Sequence, residues 1–213
     1  MNLCVTISDK KMSTIISQLE KFEYGEIRLD KTGYSDEFLK EVFSLDKKLI
    51  ATIRPCGISN ELRMEILKKS IQYGAQFIDI EIETPKAFIN DIVSYAKIKD
   101  CKVIISYHNY KFTDDFESLS NIIIHAKEYE ADIVKIATHI NNTSDLKTIY
   151  KLYSEFDNII AIGMGELGKI TRLNSIFNGA PFTYVYQNNI RYRMGEGQMK
   201  YQQVLNILKL MDH

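Results

Sequence analysis

Short apolar runs alternate with helix-like stretches eight times along the chain, and this alternation restricts the fold more than any other feature. The runs are Leu3–Ile7, Glu26–Asp30, Leu49–Arg54, Phe77–Ile82, Val103–His108, Ile133–Thr138, Ile159–Met164 and Phe182–Tyr186. They begin roughly every 23–30 residues, the length of one βα unit in a parallel sheet. Helix starts fall between them. Ser35-Asp36-Glu37 opens Phe38–Phe43, and Ser59-Asn60-Glu61 opens Leu62–Tyr73, with Gly74 as a C-cap. Pro85, Thr113-Asp114-Asp115 and Thr143-Ser144-Asp145 open the helices that follow. With three prolines and no low-complexity stretch, no boundary divides residues 1–213, which read as one domain. Eight alternating units predict a compact α/β fold, a (β/α)8 barrel, in preference to an open doubly wound sheet.

Side-chain phase sharpens that expectation. In Glu26-Ile27-Arg28-Leu29-Asp30 the charges share one face and the aliphatics the other. On a barrel strand Glu26, Arg28 and Asp30 would point inward, as would Asp79 and Glu81, Thr52 and Arg54, Ser106 and His108. A half-solvated antiparallel sheet also alternates. It leaves unexplained both the helices and the charges at successive strand ends, where such barrels carry their sites.

Lys135 shares the inward face of its strand with Ile133 and Ala137. Desolvation there disfavours the ammonium, and a neutral amine is a nucleophile suited to Schiff-base chemistry with a ketone or aldehyde. The alternatives are a lysine that snorkels to the strand end or pairs with a buried carboxylate. Such a nucleophile needs a proton carrier within reach. Of the four histidines, His108 at a strand end is the best placed.

The bulk properties exclude several classes. A net charge of -1 gives no reason to expect a nucleic-acid partner. Cys4, Cys56 and Cys101 form neither a metal motif nor a disulfide framework, so no metal site is expected and a reducing compartment is. The N-terminus enters a strand directly, and no stretch is long and apolar enough for a membrane span. A cytoplasmic enzyme acting on a small molecule is the expectation.

Seven segments, in order, carry a resemblance. They are Glu26-Ile27-Arg28-Leu29-Asp30, Ile53-Arg54, Asp79-Ile80-Glu81, Ser106-Tyr107-His108-Asn109-Tyr110, Val134-Lys135-Ile136-Ala137, the run from Met164 through Gly165 and Gly168 to Arg172-Leu173, and Gly197-Gln198. Together they resemble the type I 3-dehydroquinate dehydratases of the shikimate pathway across nearly the whole chain. The resemblance implies a lyase that converts 3-dehydroquinate to 3-dehydroshikimate and water without metal or organic cofactor. It makes Lys135 the Schiff-base nucleophile and His108 the general acid/base. It places Arg172 on the substrate carboxylate, Glu26, Arg28 and Arg54 at polar pocket positions, Met164 on an apolar wall and Gln198 in a closing loop. A homodimer is implied as well.

Two departures from the family pattern stand out. The family's glutamate after the third-strand arginine is absent from Arg54-Pro55-Cys56-Gly57-Ile58, leaving Glu61, Asp79 or Glu81 to orient His108. The closing loop reads Met194-Gly195-Glu196-Gly197-Gln198 without the family's serine, and extra residues precede it. Two rivals follow. A class I aldolase or transaldolase would use the same lysine with a phosphate held near Gly163-Met164-Gly165 and Gly168. A non-catalytic homologue would bind a carboxylated ligand without turning it over.

Overall fold

The computed structural model describes residues 2–187 and 197–211. Nine parallel strands form one sheet: β1 (Leu3–Ile7), β2 (Tyr24–Arg28), β3 (Lys48–Thr52), β4 (Phe77–Glu81), β5 (Lys102–Asn109), β6 (Ile133–His139), β7 (Ile159–Met164), β8 (Thr183–Tyr186) and the two-residue β9 (Met199–Lys200). The helices between them are α1 (Met12–Leu19), the short α2 (Leu29–Thr32), α3 (Asp36–Phe43), α4 (Asn60–Gln72), α5 (Lys86–Ile98), α6 (Phe116–Glu128), α7 (Thr143–Glu155) and α8 (Gly165–Phe177), with α9 (Tyr201–Met211) last. The sheet runs β7-β6-β5-β4-β3-β2-β1-β8-β9, with β8 returning to pair with β1 as in the expected (β/α)8 barrel. The short β9 adds to β8 through Val185↔Met199 and Tyr186↔Lys200. Gly197, just before it, lies so close to Gly165 that an added Cβ would stand 2.6 Å from the Gly165 carbonyl oxygen.

Helix starts follow the capping chemistry. Ser35, Ser59 and Asp115 each accept a backbone N–H of the first turn, and Pro85 precedes α5. One cap differs from expectation. Asn142, one residue earlier than Thr143, closes a capping box with Asp145 at the start of α7.

The two strand faces build two cores. Outward aliphatics such as Val5, Ile27, Ala51, Ile78, Val103, Val134 and Ala161 pack beneath the helices. Val204 and Leu208 of α9 join this layer, and the Tyr201 ring meets Phe22 at 4.7 Å. Inward residues near the strand starts, among them Cys4, Ile50, Phe77, Ile104, Ile133, Ile160 and Phe182, fill the barrel as an apolar plug. Phe182 gathers aromatic neighbours there, with Tyr24 at 5.3 Å and Tyr184 at 5.5 Å. Polar side chains occupy the inward positions above the plug.

Two local expectations are corrected. The second strand begins at Tyr24 and ends at Arg28, and the chain then coils into α2. Asp30 therefore leaves the inward strand face and forms a fork with Arg28, at 3.0 Å to Nε and 3.1 Å to Nη2. The segment after β7 is helix from Gly165 onward. Gly163 and Gly168 serve close packing there: a Cβ on Gly168 would meet the Gly163 carbonyl carbon at 2.5 Å.

Candidate active site

Parallel pairing sets the site's floor. Ser106 of β5 stands level with Lys135 of β6, and His108 with Ala137, so the imidazole lies one inward step above the amine. Thr6 is likewise level with Glu26, and Thr52 with Asp79. Lys135 is buried, and its Nζ donates to Asp79 Oδ2 at 3.0 Å. The same nitrogen stands 4.4 Å from the centre of the Tyr184 ring. The sequence reading that paired this lysine with a buried carboxylate thus describes the resting arrangement.

Asp79 has further partners. Ser106 Oγ donates to its Oδ1 at 2.7 Å, and Arg54 Nη1 lies 3.2 Å from the same oxygen. Arg54 also reaches Glu81 at 3.4 Å and donates to Ser106 Oγ at 3.2 Å. A second network surrounds Glu26. Thr6 and Thr52 donate to its two oxygens at 3.0 and 3.1 Å, and Gln198 Nε2 donates to Thr6 Oγ1 at 3.0 Å. Gln198 thereby ties the end of the expected closing loop to the barrel interior.

Charge placement sets protonation. Burial alone would raise the Asp79 carboxyl, but Arg54 and then Lys135 outweigh it and hold it well below the usual carboxylate range. His108 is driven well below its ordinary value by burial, with repulsion from Arg54 and Lys135 outweighing the pull of Asp79. A neutral imidazole results. Burial also brings Arg172 down to about 10, which leaves it charged at neutral pH. Arg172 Nε donates to the Gly163 carbonyl at 3.2 Å, fixing the guanidinium against β7.

One cavity of about 300 Å³ collects these groups at the C-terminal strand ends. Lys135, His108, Glu26, Arg28, Arg54, Arg172, Met164 and Gln198 all line it. So do residues that the sequence did not mark as site residues, including Thr6, Cys56, Tyr110 and Tyr184. Thr6 and Tyr184 occupy inward positions that strand alternation would have flagged. Tyr110 stacks on the His108 ring, with centroids 6.0 Å apart and planes 11° from parallel. Among the described residues no carboxylate hydrogen-bonds His108, whose buried Nδ1 has no partner there. Glu61 is excluded from that role because it is exposed on the first turn of α4, beside Ser59. Of the closing segment, Met194, Gly195 and Glu196 lie outside the described residues, as do the residues expected to extend it.

Fold and site together define an α/β-barrel enzyme with a lysine-centred cavity at the C-terminal ends of its strands. The family described as type I 3-dehydroquinase matches residues 3–213. A 3-dehydroquinate dehydratase of Pyrococcus abyssi is 33% identical over 193 residues, covering 87% of this chain and 86% of the relative. One from Methanococcus vannielii is 32% identical over 222 residues, covering 97% and 100%. Among solved structures, a type I 3-dehydroquinate dehydratase from Clostridium difficile, carrying covalently modified comenic acid, superposes with a TM-score of 0.85 at 24% identity. That match covers 99% of this chain and 92% of the other. The 3-dehydroquinate dehydratase of Aquifex aeolicus gives 0.84 at 24% identity, covering 99% and 98%. The chain belongs to the type I 3-dehydroquinase family, and its reaction class is that of a hydro-lyase.

Proposed function

We propose that the protein converts 3-dehydroquinate to 3-dehydroshikimate and water through an imine on Lys135, with His108 moving the protons. The observation that carries this reading is the pairing of a buried amine with a neutral imidazole one inward step above it, in a cavity rich in guanidinium groups. Among the described residues the lining holds four basic side chains, Arg28, Arg54, Lys135 and Arg172, against two carboxylates, Glu26 and Glu81. Such a balance favours an anionic ligand, and a guanidinium presents the planar fork that a carboxylate accepts. Arg172 is the carboxylate-binding residue in this reading. Glu26 with Thr6 and Gln198, and Arg54 with Glu81, offer acceptors and donors for ring hydroxyls. Met164 supplies apolar wall.

The chemistry follows from the protonation pattern. Lys135 gives up a proton, attacks the ketone and loses water to form an iminium. The cation acidifies the neighbouring C–H, since the electron pair left behind is stored as an enamine. His108, neutral and poor in local hydrogen bonds, accepts that proton as a general base. It returns the proton to the departing hydroxyl, and hydrolysis of the imine regenerates Lys135. Asp79 stays charged throughout and holds the amine between turnovers.

Borohydride reduction of a mixture with 3-dehydroquinate, followed by peptide mass analysis, tests this reading. A ligand-sized adduct on Lys135, absent in Lys135→Ala, is the expected result. Folded protein that binds the ligand but yields no adduct and no product would sink the reading and indicate a non-catalytic barrel. Lys135→Arg is expected to be inactive as well, because a guanidinium stays protonated and cannot attack a ketone.

A further inference from the structure

Among the described residues, two cavity-lining side chains keep a buried polar atom without a hydrogen-bond partner: His108, through Nδ1, and Tyr184, through its hydroxyl. The reaction above gives the histidine work to do and leaves the phenol idle. Packing does not explain that oxygen. The Tyr184 ring sits 5.5 Å from Phe182 and beneath the Lys135 nitrogen, contacts that a phenylalanine would make equally well. A hydroxyl shut away from bulk water and from every described acceptor is a penalty unless something inside the cavity pairs with it.

The position of the phenol restricts what that partner is. Inward-facing on β8, Tyr184 lies level with Cys4 of β1. The preceding residue, Thr183, donates to the Arg172 carbonyl at 2.9 Å, which ties β8 to the helix carrying the carboxylate-binding residue. The ring centre is 4.4 Å from Lys135 Nζ. The phenol oxygen is only a ring radius and one C–O bond from that centre. A carbonyl carbon bonded to Nζ would hold its oxygen two bonds from that nitrogen, within reach of the ring edge that carries the hydroxyl. Burial, followed by the charges of Glu26 and Asp79, pushes the phenol well above its ordinary value, so it is a donor and not a base.

We propose, on the Schiff-base reading above, that the Tyr184 hydroxyl donates a hydrogen bond to the ketone oxygen while Lys135 adds to the carbonyl. As the C–N bond forms, the π pair of the C=O bond moves onto oxygen, and the phenol O–H stabilises the developing charge. The proton shed by the amine neutralises that oxygen to give a carbinolamine. With one more proton the oxygen leaves as water, and the nitrogen lone pair closes the iminium. Counted from the ammonium form of Lys135, no net proton is gained or lost, and Tyr184 keeps its own. The residue thus serves imine formation and imine hydrolysis, and has no part in the C–H step assigned to His108.

Tyr184→Phe isolates the hydroxyl, since the ring and its contact with Lys135 remain. Rapid-quench borohydride trapping with 3-dehydroquinate, read as the mass of the Lys135 peptide against time, is paired with urea unfolding. Adduct formation is expected to slow by on the order of a hundredfold to a thousandfold, the effect of losing one preorganised donor. Stability should equal or exceed that of the parent, because an unpaired buried oxygen has gone. Trapping at the parental rate would overturn the proposal, as would a slower rate accompanied by a loss of stability, which would mark the hydroxyl as structural. If the parent itself forms no adduct, the Schiff-base reading falls and this proposal with it.

Discussion

Lys135 on β6 and Arg54, two residues past the end of β3, converge on the two oxygens of one carboxylate: Lys135 Nζ lies 3.0 Å from Asp79 Oδ2, and Arg54 Nη1 lies 3.2 Å from Oδ1. Asp79 is fully buried and also accepts from Ser106. The site is therefore built around an anion that does not itself line the cavity. Its charge lets two cations remain in the barrel interior, where either alone would face a severe desolvation cost. The same cations act on His108 and keep its imidazole neutral.

Replacing Asp79 with Asn should consequently damage both stability and turnover. The amide has nearly the same shape but leaves Lys135 without its counter-ion and Arg54 with Glu81 alone. Breaking a buried pair by removing one partner costs roughly 3–5 kcal/mol. Urea unfolding of Asp79→Asn should show a loss in that range, together with a fall in kcat larger than any change in KM. Parental stability would mean that the ion pair is idle.

Acidification should destabilise the protein in two stages, with signs fixed by the two shifts. His108 has a folded value below its unfolded one, so below about pH 6.5 the unfolded chain binds more protons and stability falls. One such group contributes a slope of at most about 1.4 kcal/mol per pH unit. Asp79 is also depressed, so its contribution is full above the ordinary aspartate value and is lost as pH falls through the lower folded value. Unfolding of His108→Gln, measured from pH 7 to pH 5, should show a flatter slope than the parent. Below about pH 4 both proteins should decline, because each keeps Asp79.

Much of this site was legible because period-two alternation on parallel strands is a strong signal. Glu26 with Arg28, Ser106 with His108, and the inward lysine all follow from it. Asp30 shows where the signal stops: alternation continues through Leu29 and Asp30, but the chain has already turned into α2, and nothing in the phase marks a strand's end. Glycines misled in a different way. Gly163 and Gly168 read as part of a candidate phosphate site, although their role is to bring α8 against β7. Tyr184 was passed over because a tyrosine in an apolar run reads as core, and only the three-dimensional arrangement shows its hydroxyl without a partner.

Arg172 should not tolerate lysine. Its planar group is anchored through Nε to the Gly163 carbonyl, which directs the remaining N–H groups. Lysine offers a single ammonium on a flexible stem in a buried position that favours its neutral form. Loss of a charge-assisted, two-pronged contact predicts an increase in KM for 3-dehydroquinate of about ten- to a hundredfold in Arg172→Lys, with a smaller change in kcat. An unchanged KM would remove Arg172 from the binding set.

Gly168→Ala should reach the site from outside it. The added methyl would stand 2.5 Å from the Gly163 carbonyl carbon and 2.7 Å from its oxygen, and backbone atoms cannot swing aside as a flexible side chain can. The Gly163 N–H donates to Thr171 Oγ1 at 2.6 Å, and its carbonyl accepts from Arg172. Pushing α8 off β7 therefore strains both bonds and displaces the guanidinium. Overpacking of this kind costs roughly 1–3 kcal/mol. Gly179→Ala is the control: its φ of +88 strains any side chain, but it lies past the end of α8 and nothing is within 4 Å of the new methyl. Both variants should lose stability in urea, and only Gly168→Ala should raise KM. Equal KM values in the two would show that the close approach of helix to strand supports the fold without positioning Arg172.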